Sequence, residues 1–145
     1  MAKRYWLLKS DPDTFGWNHL MGSPKRRTVW DGIRNPQARN HLRDDVQAGD
    51  EAFFYHSGAD KAVVGTCTVV RAGFPEPGKE PWVAIEIEAG KAFAEPVTLQ
   101  AIKAEPDLAG MVLVKNSRLS VQPVTAKEWS VVTKMGGGAR SRADR

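Results

Sequence analysis

Hydrophobic and polar positions change period several times along this chain. Arg4 to Lys9 is a short aromatic and aliphatic run, which predicts a buried strand with Ser10 and Asp11 at its exit. Phe15, Trp17, Leu20 and Met21 recur at near-helical spacing behind Asp13 or Thr14 as a cap, with Gly16 interrupting. Thr28, Val29 and Trp30 return to an extended pattern. Asn35 followed by Pro36 has the chemistry of a helix start, and that helix is expected to reach about Asp45. Gly49 and Asp50 make a turn into a strand from Ala52 to His56, which the valine- and threonine-rich stretch from Lys61 to Ala72 extends into a hairpin.

Beyond the prolines at positions 75, 77 and 81, Val83, Ile85 and Ile87 alternate with Ala84, Glu86 and Glu88, the period of a half-exposed strand. Pro96 to Lys103 and Glu105 to Gly110 read as helical turns. Leu119, Val121 and Val124 predict a last strand, before a closing helix from Thr125. Short strands with helices in the connections, without strict βαβ alternation, favour an α+β fold built as a small barrel of mixed, mainly antiparallel strands.

Composition narrows the class. A chain of 145 residues, 41% hydrophobic and 26% charged, is long enough for one core without a staple. Cys67 is the only cysteine and no His/Cys cluster has ligand spacing, so no disulfide, metal or cofactor is expected, and a reducing cytoplasm fits. No stretch is long and apolar enough to span a membrane, and residues 1–9 lack a signal sequence. The net charge of +4 leans toward polyanions, a bias shared by many basic proteins that bind none. Residues 136–145 hold three glycines, three arginines and no large apolar side chain, so the domain is expected over 1–135 and a disordered basic tail over 136–145.

Candidate chemistry concentrates between Thr28 and Arg43. Trp30 offers a π-face at a strand end, Gly32 permits close approach, and N–H groups near Asn35 can donate to a carbonyl or anion. A planar heterocycle suits this kit; a core tryptophan beside an ordinary Asp31-Gly32 turn is the plainer reading. Lys25, Arg26, Arg27, Arg39 and Arg43 suit phosphate contact, but paired arginines are more often a solvated face, or are balanced by neighbours such as Asp44. Lys9 and Ser10 end one predicted strand, and Tyr55, His56 and Ser57 end another, where small barrels open onto ligands; His56 also fits a structural role. No phosphate loop, metal signature or nucleophile elbow is present, and Cys67 sits inside a predicted strand, so no enzyme is expected.

Four ordered segments carry a resemblance: YWLLKSDPD at Tyr5 to Asp13, VWDGIRNPQARNHLR at Val29 to Arg43, GDEAFFYHS at Gly49 to Ser57, and RLSVQPV at Arg118 to Val124. They resemble the EVE domain, whose fold is similar to the PUA and YTH pseudo-barrels. The resemblance implies a non-catalytic, monomeric binder of DNA or RNA that accommodates a modified base. It implies that Trp30 stacks on that base, that Lys9, Ser10, Gly32, Asn35, Tyr55, His56 and Ser57 surround it, and that Arg34 and Arg118 guard the mouth. The sequence departs from the pattern at Asp11, where glutamate is usual, and at Pro36, where an aromatic is common. Asp11 either reads a base amino group or caps the next helix. The alternative function is a small-molecule or free-nucleoside binder with a solvated basic surface.

Overall fold

The computed structural model describes residues 4–30, 36–58, 61–75, 82–115 and 119–136. Its first strand, β1 (Tyr5–Ser10), forms where the apolar run predicts it, and alternation sends Trp6 and Leu8 into one hydrophobic cluster and Leu7 into another. Two short helices follow, α1 (Pro12–Phe15) and α2 (Trp17–Met21), where the sequence pattern suggested one. Gly16 is the reason, because its extended backbone turns the chain between them. The cap of α1 is Asp11, not Asp13 or Thr14: its carboxylate accepts from the Asp13 amide at 2.9 Å.

A basic turn leads into β2 (Arg27–Trp30); α3 (Pro36–Asn40) then continues as one π-helical turn, His41–Asp45, closed by the Val46 amide on the His41 carbonyl at 2.9 Å. The helix expected to end near Asp45 therefore changes pitch inside that span. β3 (Glu51–His56) and β4 (Ala62–Pro75) make the expected hairpin. β5 (Val83–Thr98) is longer than its alternation suggests. Pro96 lies within it rather than opening a helical turn, since Phe93 and Val97 bury against the second cluster and hold the strand extended. Next come α4 (Leu99–Ala104), a single 3₁₀ turn at Pro106–Leu108, α5 (Val112–Lys115), β6 (Val121–Val124) and α6 (Ala126–Gly136).

The six strands form one sheet in the order β2-β5-β4-β3-β1-β6. β3 and β1, the fourth and fifth strands in that order, run parallel in a register from Tyr5 opposite Glu51 to Ser10 opposite His56; every other pairing is antiparallel. Register shifts along β4 and β5 bend these two long strands, so that each contributes to both clusters and the sheet curls into an open pseudo-barrel. This is the α+β, mainly antiparallel architecture that the pattern implied. At one bend Gly65 lets β5 and the Trp17 ring approach: a Cβ there would stand 2.7 Å from the Lys91 carbonyl oxygen and 2.7 Å from Trp17 Cη2.

One buried carboxylate ties the frame together. Asp50, only 5% exposed, accepts from the Trp6 indole at 3.0 Å, the Gln47 amide at 2.9 Å and the Arg4 amide at 3.2 Å, fastening the turn before β3 to β1. α6 begins with a reciprocal cap between Thr125 and Glu128 and lays Trp129 in stacked contact with both Tyr5 and Phe53. Gly136, where the tail was expected to begin, is the buried last residue of α6 and packs against Phe93; the rest of that expected tail, 137–145, lies outside the described residues. No helix among the described residues is long and apolar enough to cross a membrane.

Candidate functional site

Parallel pairing puts the C-terminal ends of β1 and β3 side by side, between β4 and β6, where the chain leaves both strands. The join is tied by the Ser57 amide donating to the Ser10 carbonyl at 2.8 Å and by the Ser10 hydroxyl donating to the Phe15 carbonyl. Ser10 and His56 lie opposite one another here, on the face that holds Trp6, Leu8 and Phe54. The backbone amide of Trp17 donates to His56 Nε2 at 3.0 Å, so the imidazole anchors α2 over the strand ends.

Trp30, at the end of β2, reaches the same face. Its ring meets Phe54 edge-on at 5.5 Å between centroids and Phe15 edge-on at 6.5 Å; Phe54 also meets Trp17 at 5.6 Å and His56 at 5.7 Å. Trp30 is 7% exposed, a member of the first core cluster as well as the floor of this aromatic group. Phe15 is half-buried and stacks on exposed His19 at 5.5 Å, so aromatic surface runs without a gap from solvent to core. The structure thus brings Ser10, Trp30, His56 and Ser57 to one strand-end region.

Lys9 and Tyr55 pair with each other but point the other way. Tyr55 belongs to the second cluster, and the Lys9 ammonium lies 5.5 Å from the Tyr55 ring centroid. Burial lowers the Lys9 pKa and raises that of Tyr55, favouring the neutral form of each. Alternation along β1 and β3 separates these two from Ser10 and His56 across the sheet. Gly32, Arg34, Asn35 and Arg118 lie outside the described residues.

The five basic candidates divide as well. Arg27 is held by Glu88 at 2.7 Å, and Arg43 makes a double contact with Asp44 at 2.9 and 3.0 Å. Hydrogen bonding to Arg43 keeps the Asp44 carboxyl below its usual range and raises the Arg43 pKa in turn. Arg39 donates to Asn40 and spreads over the Trp82 ring at 5.3 Å. Lys25 and Arg26 are exposed, and among the described residues neither side chain is ion-paired; both occupy the left-handed backbone region at φ 56°. Asp11, occupied as the α1 cap, supports the capping side of the earlier alternative.

Sequence reasoning did not single out Phe15, Trp17, His19, Phe54 or Trp82 as part of a site. A signal for Phe54 existed, since it lies two residues before His56 in an extended run and so shares its face. The approach of α1 and α2 had no such signal, because it depends on a fold-back at Gly16. Among the described residues no three His, Cys, Asp or Glu side chains converge as metal ligands.

Comparison with known proteins bears on the family and the fold. A family model described as the EVE domain matches residues 4–135. Human thymocyte nuclear protein 1 is 30% identical over 162 aligned positions, covering 88% of this chain and 72% of its own. A protein of Rhodopseudomonas palustris solved by NMR is 45% identical with a TM-score of 0.87, over 92% of this chain and 93% of that one. The crystal structure of human THYN1 protein in complex with 5-methylcytosine-containing DNA superposes with a TM-score of 0.84 at 29% identity, covering 92% of this chain and 98% of that one. Matched along almost its whole described length in sequence and in fold, this chain belongs to the EVE domain family.

Proposed function

We propose that this protein is a non-catalytic reader of modified DNA that takes one base, with 5-methylcytosine the first candidate, into the aromatic region at the ends of β1 and β3. The observation that carries this is the human relative of the same fold in complex with 5-methylcytosine-containing DNA. The local chemistry supports it: Trp30, Phe15 and Phe54 supply apolar aromatic surface, Ser10, Ser57 and His56 supply polar groups around it, and Lys25 and Arg26 extend basic side chains into solvent. Lys9 and Tyr55 support the strand ends from the opposite face. Gly32 and Asn35 as pocket residues and Arg34 and Arg118 at its mouth are roles that the family resemblance implies, at positions outside the described residues.

Stacking on an aromatic ring is worth about 1–3 kcal/mol per base, while extrusion from a duplex costs a few kcal/mol. One methyl group adds about 1 kcal/mol, so selectivity for the methylated base is expected near fivefold rather than thousandfold. The test is fluorescence anisotropy with matched DNA and RNA oligonucleotides, each with cytosine or 5-methylcytosine at one position, at two salt concentrations. Tighter binding to methylated DNA, lost in Trp30→Ala and in the more volume-conserving Trp30→Leu while circular dichroism stays native, supports the reading. Equal, salt-sensitive binding to all four makes the protein a general nucleic-acid binder. Binding only to free nucleosides, unaffected by salt, makes it a small-molecule protein.

A further inference from the structure

Two consecutive backbone amides at the junction of α1 and α2 are both received by histidines. The Gly16 amide donates to His19 Nδ1 at 2.7 Å, and the Trp17 amide donates to His56 Nε2 at 3.0 Å. An amide N–H is always a donor, so each of these ring nitrogens must present a lone pair. Protonation of either imidazole replaces that lone pair with an N–H and brings a positive charge against the amide hydrogen. The junction lies between Phe15, whose ring meets Trp30, and Trp17, whose ring meets Phe54.

We propose that His19 and His56 are positioning residues that hold the Phe15 and Trp17 wall of the base site through their unprotonated nitrogens, so that base capture weakens when acid protonates them. The binding half of this statement rests on the function proposed above; the structural half does not. The two histidines come from different elements, His19 from α2 and His56 from β3, and both hydrogen bonds end within one dipeptide, so acid acts twice on a single joint. Charged groups on the surrounding elements are Lys9 on β1, Asp11 and Asp13 at the head of α1, Arg27 on β2, Glu51 on β3, Lys61 before and Arg71 on β4, and Glu86, Glu88, Lys91 and Glu95 on β5. Of these, Asp11 is committed to the Asp13 amide and Arg27 to Glu88.

The sign of the effect is diagnostic. Two added positive charges strengthen binding to a polyanion on general grounds, whereas loss of the wall weakens it. Each amide bond is worth a factor of about five, so losing both weakens capture about 25-fold. Asparagine at 19 and glutamine at 56 place an amide oxygen near the nitrogen they replace and do not titrate.

The experiment compares wild type with the His19→Asn/His56→Gln double variant at pH 7.5 and 5.5, at constant salt. Amide protection factors of Gly16 and Trp17 are read by NMR without nucleic acid, and anisotropy is then measured with the methylated oligonucleotide. Protection that falls about fivefold or more in acid at each amide in wild type and holds in the variant supports the proposal, as does wild-type affinity that falls with it. Protection unchanged in wild type, or falling equally in both proteins, overturns it. If protection behaves as expected but no oligonucleotide binds at either pH, the positioning role stands and the base-reading function fails.

Discussion

Replacing Gly65 with alanine tests whether the barrel wall and the aromatic site are one mechanical unit. The new methyl would stand 2.7 Å from the Lys91 carbonyl oxygen, 2.7 Å from Trp17 Cη2 and 2.9 Å from Trp17 Cζ3, where ordinary contact begins near 3.4 Å. Neither neighbour can yield cheaply: Lys91 lies within β5, and the Trp17 ring is 8% exposed with Phe54 against it. Overpacking of this kind costs about 1–3 kcal/mol, or about 3–10 °C in Tm for a domain of this size. The displaced Trp17 ring should also change the near-ultraviolet circular dichroism. Gly110→Ala is the control, since nothing lies within 4 Å of its added Cβ and its Tm should stay within about 2 °C. A Gly65→Ala protein with unchanged Tm and unchanged aromatic dichroism would refute the close approach of α2 to the bend in β4.

Other expectations follow from single environments. Asp50→Ala strands three N–H donors, and at about 1–3 kcal/mol for each buried unsatisfied group the Tm should fall by more than about 6 °C; Asp50→Asn, which keeps one acceptor oxygen, should fall less. Burial, aided by the charge of Glu51, pushes the Cys67 thiol up to about 12, so alkylation at pH 8 should be slow in the native protein and fast in denaturant. The sign for stability runs the same way: an unfolded thiol ionises near pH 8.5 while the folded one stays protonated. Wild type should therefore lose about 1.4 kcal/mol per pH unit relative to Cys67→Ala between about pH 9 and 11, by chemical denaturation. Lys25→Ala/Arg26→Ala should lower the salt slope of duplex binding by about 1.8 if both side chains displace counterions, with little change in preference for methylated base.

Much of the fold was legible because β1, β3 and the start of β5 carry strong local signals: a continuous apolar run, a turn before a hairpin strand, and strict alternation. The second half of β5 was not, because Phe93 and Val97 are spaced ambiguously and only their burial against the α4, α5 and α6 side of the sheet makes Pro96 a strand residue. The site was legible as strand ends but not as a surface. Neighbours in sequence, Lys9 and Ser10 or Tyr55 and His56, look like one cluster on paper, yet the two-residue period of a strand sends them to opposite faces. The fate of the arginines was likewise hidden, since Glu88 reaches Arg27 only through the pairing of β2 with β5, whereas Asp44 beside Arg43 was visible from the start.

The position of β2 at the far edge of the sheet has a consequence for how the site comes into being. Trp30 is made early during synthesis, but its strand pairs only with β5, where it sits opposite Ile85. Until β5 has emerged, the tryptophan strand lacks its strand partner among the described residues, whatever its ring can touch. Recognition is therefore expected to be the last property the folding chain acquires, and the first it gives up when an edge strand frays.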